Sequence, residues 1–154
     1  MGSPRLYVVQ TTGTTGTTGT TIPWCVKQNT RSLVIAQFGF SLGAAAPGAG
    51  MTAQLQGVAG ALPGSGSTQT PGKLGDQSLP AATATAEVGG TTIGTVAVAG
   101  PVWYVQPFGG IIDIEYPLKR EPGLEGGTAG YWALQVTNLA VAYPYASYVI
   151  FEET

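Results

Sequence analysis

Three pairs of residues have the types and spacing for chemistry: Cys25 with Lys27, Asp113 with Glu115, and Glu152 with Glu153. The chain contains no histidine, which removes the commonest general base, the usual partner of a serine or cysteine nucleophile, and the commonest transition-metal ligand. Cys25 would then have to rely on Lys27, on the same face of an extended segment, and that pairing is weak. Asp113 and Glu115 could ligate a cation or act as an acid and base pair. Alternating with Ile112 and Ile114, they are better accounted for as the wet face of a strand. Glu152 and Glu153 read as a solvated end. Residues 48–53 match a loose dinucleotide pattern, but no helix or ribose-binding acid follows at the expected distance. Residues 63–66 lack the spacing of a nucleophile elbow. No catalytic, metal-ligating or cofactor-binding residue is expected, and the chain is expected not to be an enzyme.

The elements that would position any site come from a composition poor in charge. Of 154 residues only 9% are charged, the apolar fraction is 44%, and the net charge is -2. No charge falls between Arg31 and Lys73, between Glu87 and Asp113, or between Glu125 and Glu152. Disorder pairs low hydrophobicity with high net charge, so this chain is expected to fold. Its basic residues are scattered as Arg5, Lys27, Arg31, Lys73 and the pair Lys119 and Arg120, with no patch to neutralise several phosphates, so nucleic acid is not an expected partner. Weak self-repulsion favours life inside an assembly. A single cysteine is compatible with a reducing cytosol. The start of the chain lacks the basic and apolar run of a secretory signal, and Gln135, Thr137, Asn138 and Pro144 break the one stretch long enough to prompt a membrane check.

Along the chain, residues 6–9 form a short strand-like run, followed by Thr-Thr-Gly repeats to Thr21. Thr favours extension, and Gly every third residue removes packing, so residues 1–21 read as an extended N-terminal arm. From Gln10 to Thr21 it would reach on the order of 40 Å. The body, residues 22–154, opens with a strand over 32–42, where Val34, Ala36, Phe38, Phe40 and Leu42 are expected to face one way and Gln37, Gly39 and Ser41 the other. A Gly- and Pro-rich turn at 44–50 precedes a strand over 51–58. Residues 60–75 read as a surface loop, 81–87 as strand or short helix, and 91–99, 102–106, 111–116, 131–139 and 145–151 as strands. Short strands with turn signals every eight to twelve residues and no amphipathic helix specify an all-β antiparallel sandwich, of jelly-roll type by preference. Trp103, Tyr104, Tyr131, Trp132, Tyr143, Tyr145 and Tyr148 crowd the C-terminal half. They read as core or subunit interface ahead of a sugar-binding platform.

The runs SLVIAQFGFSL, PFGGIIDIEYPLKREPGLEGG and YWALQVTNLAVAYPYASYVIFEE, within residues 32–153, resemble the jelly-roll capsid decoration or cement proteins of tailed bacteriophages. The resemblance lies in strand pattern and composition and excludes the TTG arm. It implies a homotrimer on the outer surface of the virion, assembled in the host cytoplasm, that binds the major capsid protein lattice and stabilises the head, with no enzyme activity, cofactor, nucleic-acid or membrane partner. On that reading Leu6, Tyr7, Val8 and Val9 add as a strand to an edge on the capsid or a neighbouring subunit, Arg5 meets a carboxylate, and Trp103 and Trp132 line the trimer interface unless they are core. Truncation before Ile22 would then leave soluble trimers that no longer bind heads. The rival reading is a receptor-binding knob of a phage head or tail fibre, with Tyr and Trp facing host glycans.

Overall fold

The computed structural model describes residues 5–17, 19–43, 50–106, 110–124, 129–138 and 142–154. Twelve strands occupy them: β1 (Arg5–Thr14), β2 (Gly19–Lys27), β3 (Leu33–Leu42), β4 (Met51–Ala59), β5 (Ser67–Gln69), β6 (Gly72–Lys73), β7 (Thr85–Gly90), β8 (Val96–Val105), β9 (Ile111–Glu115), β10 (Gly123–Leu124), β11 (Gly130–Asn138) and β12 (Pro144–Glu153). No helix occurs among the described residues. The strands form two six-stranded antiparallel sheets stacked as a sandwich.

The pairing is nested. β1 pairs with β12, β2 with β11, β3 with β9 and β4 with β8, as if one long antiparallel ribbon had been rolled up. β12 then also joins β3, and β11 joins β4. The result is a sheet running β1-β12-β3-β9 facing another running β2-β11-β4-β8, which is the jelly-roll wrapping. The short strands trim its margins: β6 on β1, β10 beside β9 on the edge of β3, and β7 then β5 beyond β2.

Alternation along the strands sets the core. Tyr7 and Val9 of β1, Tyr145, Val149 and Phe151 of β12, and Trp132, Leu134 and Val136 of β11 all point between the sheets and are buried. Trp24 makes an edge-to-face contact with Phe38 at 5.9 Å, and Phe38 does the same with Trp103 at 5.5 Å. A buried polar bridge ties the sheets together: the Trp24 indole N–H donates to the Ser147 hydroxyl at 3.1 Å, which donates to the Gly39 carbonyl at 2.7 Å. That chain satisfies the Trp24 donor inside the sandwich, whereas the buried Trp132 Nε1 and the Tyr143 hydroxyl have no hydrogen-bond partner among the described residues. A smaller cluster of Ile22, Cys25, Val58, Tyr131 and Ala133 lies on the outer face of the second sheet, roofed by Leu62 and Ile93.

The structure corrects several expectations. The TTG segment is no appendage: β1 pairs with β12 along its whole length, from Arg5 opposite Glu153 to Thr14 opposite Pro144, and the repeat supplies the crossing from β1 to β2 between the sheets. Thr-rich sequence suits a half-buried strand when a partner strand is present. In β3 the inward residues are Leu33, Ile35, Phe38, Phe40 and Leu42, because an irregularity between Ile35 and Gln37 switches the phase and turns Val34 and Ala36 outward. The expected strands at 91–99 and 102–106 are replaced by one strand, β8, which begins only at Val96, runs through to Val105 and carries an extra residue at its Gly100-Pro101 step opposing Leu55. Pro23 lies in a central strand where the β2–β11 register slips, the position a residue without an N–H can occupy. The 60–75 loop contains β5 and β6, while most of the 44–50 turn lies outside the described residues.

Glu153 is not a solvated end. It is 2% exposed, and its carboxylate accepts the Thr83 N–H at 3.1 Å, the Thr83 hydroxyl at 3.0 Å and the Ala84 N–H at 2.5 Å, with the Arg31 guanidinium 3.6 Å away. It clamps the lead into β7 onto the end of β12. Replacing it by Gln puts an amide N–H against backbone N–H groups and is expected to cost about 2–3 kcal/mol, lowering Tm by roughly 5–10 °C in a thermal melt. An unchanged Tm contradicts the clamp. Because β1 is integral, a chain lacking residues 1–21 is expected to be insoluble or unfolded by circular dichroism, where a separate arm would leave a folded body.

Candidate functional site

The residues assigned to a capsid-binding arm occupy a strand with no free edge at Tyr7 and Val8. β12 takes one side, and β6 takes the other through Lys73 and Gly72. Tyr7 and Val9 are core, and the Tyr7 hydroxyl donates to the Pro80 carbonyl at 2.9 Å. β12 and β6 thus leave no edge for strand addition at Tyr7 and Val8, and the half-buried Leu6 and Val8 side chains reach the outer face. Of the two tryptophans, Trp132 packs inside the sandwich against Gly57, whose missing side chain makes room for the indole. Trp103 is half-buried on β8, with one side against Phe38.

Cys25 is enclosed, and burial, with the Glu87 carboxylate as the lesser cause, pushes its thiol up to about 12. A thiol held protonated at neutral pH is no nucleophile. Asp113 and Glu115 are exposed on β9 as the alternation implied. Among the described residues no three Cys, Asp or Glu side chains gather to hold a metal ion.

Among the described residues two surfaces stand out. The first is β8, the last strand of its sheet, paired with β4 on one side only. Its sequence VAVAGPVWYV carries no charge. Tyr104 is 84% exposed, Val98 55% and Val102 49%. Val102 and Tyr104 stand on the outer face, while Val98 stands on the inner side beside Gly57, so apolar side chains project on both sides of an open edge. Exposed edges are normally protected by charge, bulges or proline. Here Pro101 and two register slips interrupt the backbone, but no Lys or Glu guards the side chains.

The second is a groove of about 530 Å³ across the outer face of the other sheet, lined by β1, β12, β3 and β9. Register aligns two rows across four strands: Gln10, Tyr148, Gly39 and Asp113, then Thr12, Ala146, Ser41 and Ile111. Gly39 has no side chain, and a Cβ there would fall inside the Tyr148 ring, so the ring lies flat on the strand. The Tyr148 hydroxyl donates to Asp113 Oδ1 at 2.5 Å, and the Gln37 amide donates to the same oxygen at 3.0 Å and to the Tyr148 hydroxyl at 2.8 Å. These bonds, that from Tyr148 foremost, hold the Asp113 carboxyl below its ordinary range. Tyr148 is pushed up to about 12, first by burial and then by the bond to Asp113. Sequence reasoning missed this cluster. Its one signal was Gly39 in the middle of an apolar strand, where glycine marks a close approach.

The signs are opposite for the two partners. Tyr148, with a raised folded value, favours the folded state fully below the ordinary tyrosine range and loses that contribution as pH rises through about 12. Asp113, with a lowered value, contributes above the ordinary carboxylate range and loses it as pH falls through its folded value. In an ultraviolet titration, the difference between the wild type and Tyr148→Phe should show one phenol ionising near 12, and Asp113→Asn should bring that phenol down. Ionisation of Tyr148 near 10 would contradict the triad.

No protein-family model matches the chain, and no curated protein does. A solved structure of infectious bursal disease virus, Gx strain, is similar at 13% identity with a TM-score of 0.22, over 99% of this chain and 42% of that one. The chain thus spans less than half the length of that structure.

Proposed function

We propose that this chain is a virion structural protein: a capsid decoration or cement protein that sits as a homotrimer on the outer surface of the head and stabilises the major capsid protein lattice. The observation that carries the reading is β8, ten uncharged residues at an open sheet margin with Val98, Val102 and Tyr104 exposed. Single exposed apolar residues are ordinary, but several together on an unguarded edge mark a surface that another protein covers. Jelly rolls serve in viral capsids, lectins and cupins. A cupin metal site uses histidine, and this chain has none.

Each copy presents β8 to the next around a threefold axis, a head-to-tail contact that closes into a ring. Pro101 and the register slips confine backbone pairing across this contact to the stretches on either side of them. The Leu6 end of the outer face of the β1-containing sheet, beyond the Gly39 groove, then meets the shell through Leu6, Val34, Ile150 and the fully projecting Leu118, which border a depression rimmed by Glu115, Glu121 and Glu152. That chemistry suits an apolar loop with a basic residue. Three linked copies bind several lattice subunits at once, so weak individual contacts sum to tight attachment, and binding only the assembled lattice stabilises it by mass action.

The triple variant Val98→Asp, Val102→Asp, Tyr104→Asp changes only exposed positions and should keep its strand signature by circular dichroism. It should sediment as a monomer where the wild type is a trimer, and it should be lost from particles. Densitometry of purified particles should find the wild type at a copy number comparable to the major capsid protein. A monomeric wild type, or a handful of copies per particle, contradicts the proposal.

A further inference from the structure

The groove over Gly39 has a different chemistry from β8, and its use stands apart from the decoration reading. Its floor is built by register: the flat Tyr148 ring in one row and the small Ala146 and Ser41 in the next, with the 71% exposed Ile111 as a wall. One face of the tyrosine ring is pressed on Gly39, leaving the opposite face to the groove. Asp113 Oδ1 is held by Tyr148 and Gln37, while Oδ2 takes no bond from the described residues. The side chains of Gln10, Thr12 and Ser41, all lining the groove, are likewise without a protein partner among the described residues.

The site therefore offers one aromatic face, one oriented carboxylate oxygen, two hydroxyls and an amide, in a volume within the usual range for small-ligand sites. Asp113 is the one charged residue lining it, so anionic ligands are repelled. The groove crosses the strands, so an extended peptide cannot add to a ladder there, and its polar floor does not suit a purely apolar ligand. We infer that the groove binds a neutral sugar, stacked on Tyr148, with vicinal hydroxyls donating to Asp113 and others bonding Gln10, Thr12 and Ser41. Stacking of the apolar face of a sugar ring on an aromatic, with hydroxyls satisfied at its rim, is how one site can supply both the hydrophobic and the polar parts of recognition.

Gly39 is the positioning residue. A methyl at this point collides with the ring and lifts Tyr148 off the sheet without entering the core, since Phe38 and Phe40 face the other way. The full chain is applied to an array of neutral, sialylated and sulfated oligosaccharides, and the best neutral glycan is then titrated calorimetrically. Binding is expected on neutral glycans only. Tyr148→Ala and Asp113→Asn should weaken it roughly tenfold or more, equivalent to about 1.4 kcal/mol, and Gly39→Ala should weaken it while keeping the wild-type strand signature by circular dichroism. The triple Asp variant in β8 should keep the same per-site affinity, which separates this inference from the trimer proposal. Absence of any glycan signal, retention of anionic glycans alone, or undiminished affinity in Tyr148→Ala and Asp113→Asn would each overturn it.

Discussion

Closure of the first strand on the last is the constraint from which the rest of this fold follows. Ten residues of β1 pair with ten of β12, and every later pairing in the jelly roll is nested inside that one. The chain has few charges with which to satisfy buried groups, so its polar accounting falls on the backbone ladder and on a few neutral bridges. The link from Trp24 through Ser147 to the Gly39 carbonyl spans both sheets at the centre. Glu153, a buried carboxylate with an arginine beside it, then ties the end of β12 to the loop before β7. A sandwich closed in this way has a defined inside, and its function must be sought on its outside.

The outside divides into unlike surfaces. β8 is open, uncharged and apolar on both faces, the condition that natural sheets avoid unless another chain covers the edge. The Gly39 groove is polar, small and internally braced, with Tyr148, Gln37 and Asp113 holding one another in place. Bracing of this kind fixes recognition groups before a ligand arrives, which reduces the ordering cost of binding. One surface fits an assembly contact and the other a small polar ligand, and the same registers that build the sheets place both.

Much of the sandwich was legible from alternation. Ile112 against Asp113, and Trp132, Leu134 and Val136 on one side of β11, follow the period of two, and no helical pattern competes with it. What escaped were the places where the period slips. The irregularity after Ile35 reverses Val34 and Ala36, and the step at Gly100-Pro101 joins what looked like two strands. Composition also misled at the N-terminus, because Thr and Gly repeats mark a spacer locally, and only the distant β12 makes them a strand. Glu153 looked solvated for the same reason, its partners being some 70 residues away. The groove depends on four strands in register, and no local window of sequence holds that information; Gly39 alone gave a sign of it.

The account rests on β8 being covered by another copy of the chain. Hydrogen–deuterium exchange measured on the purified oligomer reads this directly, at the side of β8 turned away from β4. Protection of Val96–Val105 that is lost when the oligomer is dissociated, while β12 stays protected, is the predicted result. Rapid exchange along the β8 edge in the oligomer and in the dissociated protein alike would contradict it.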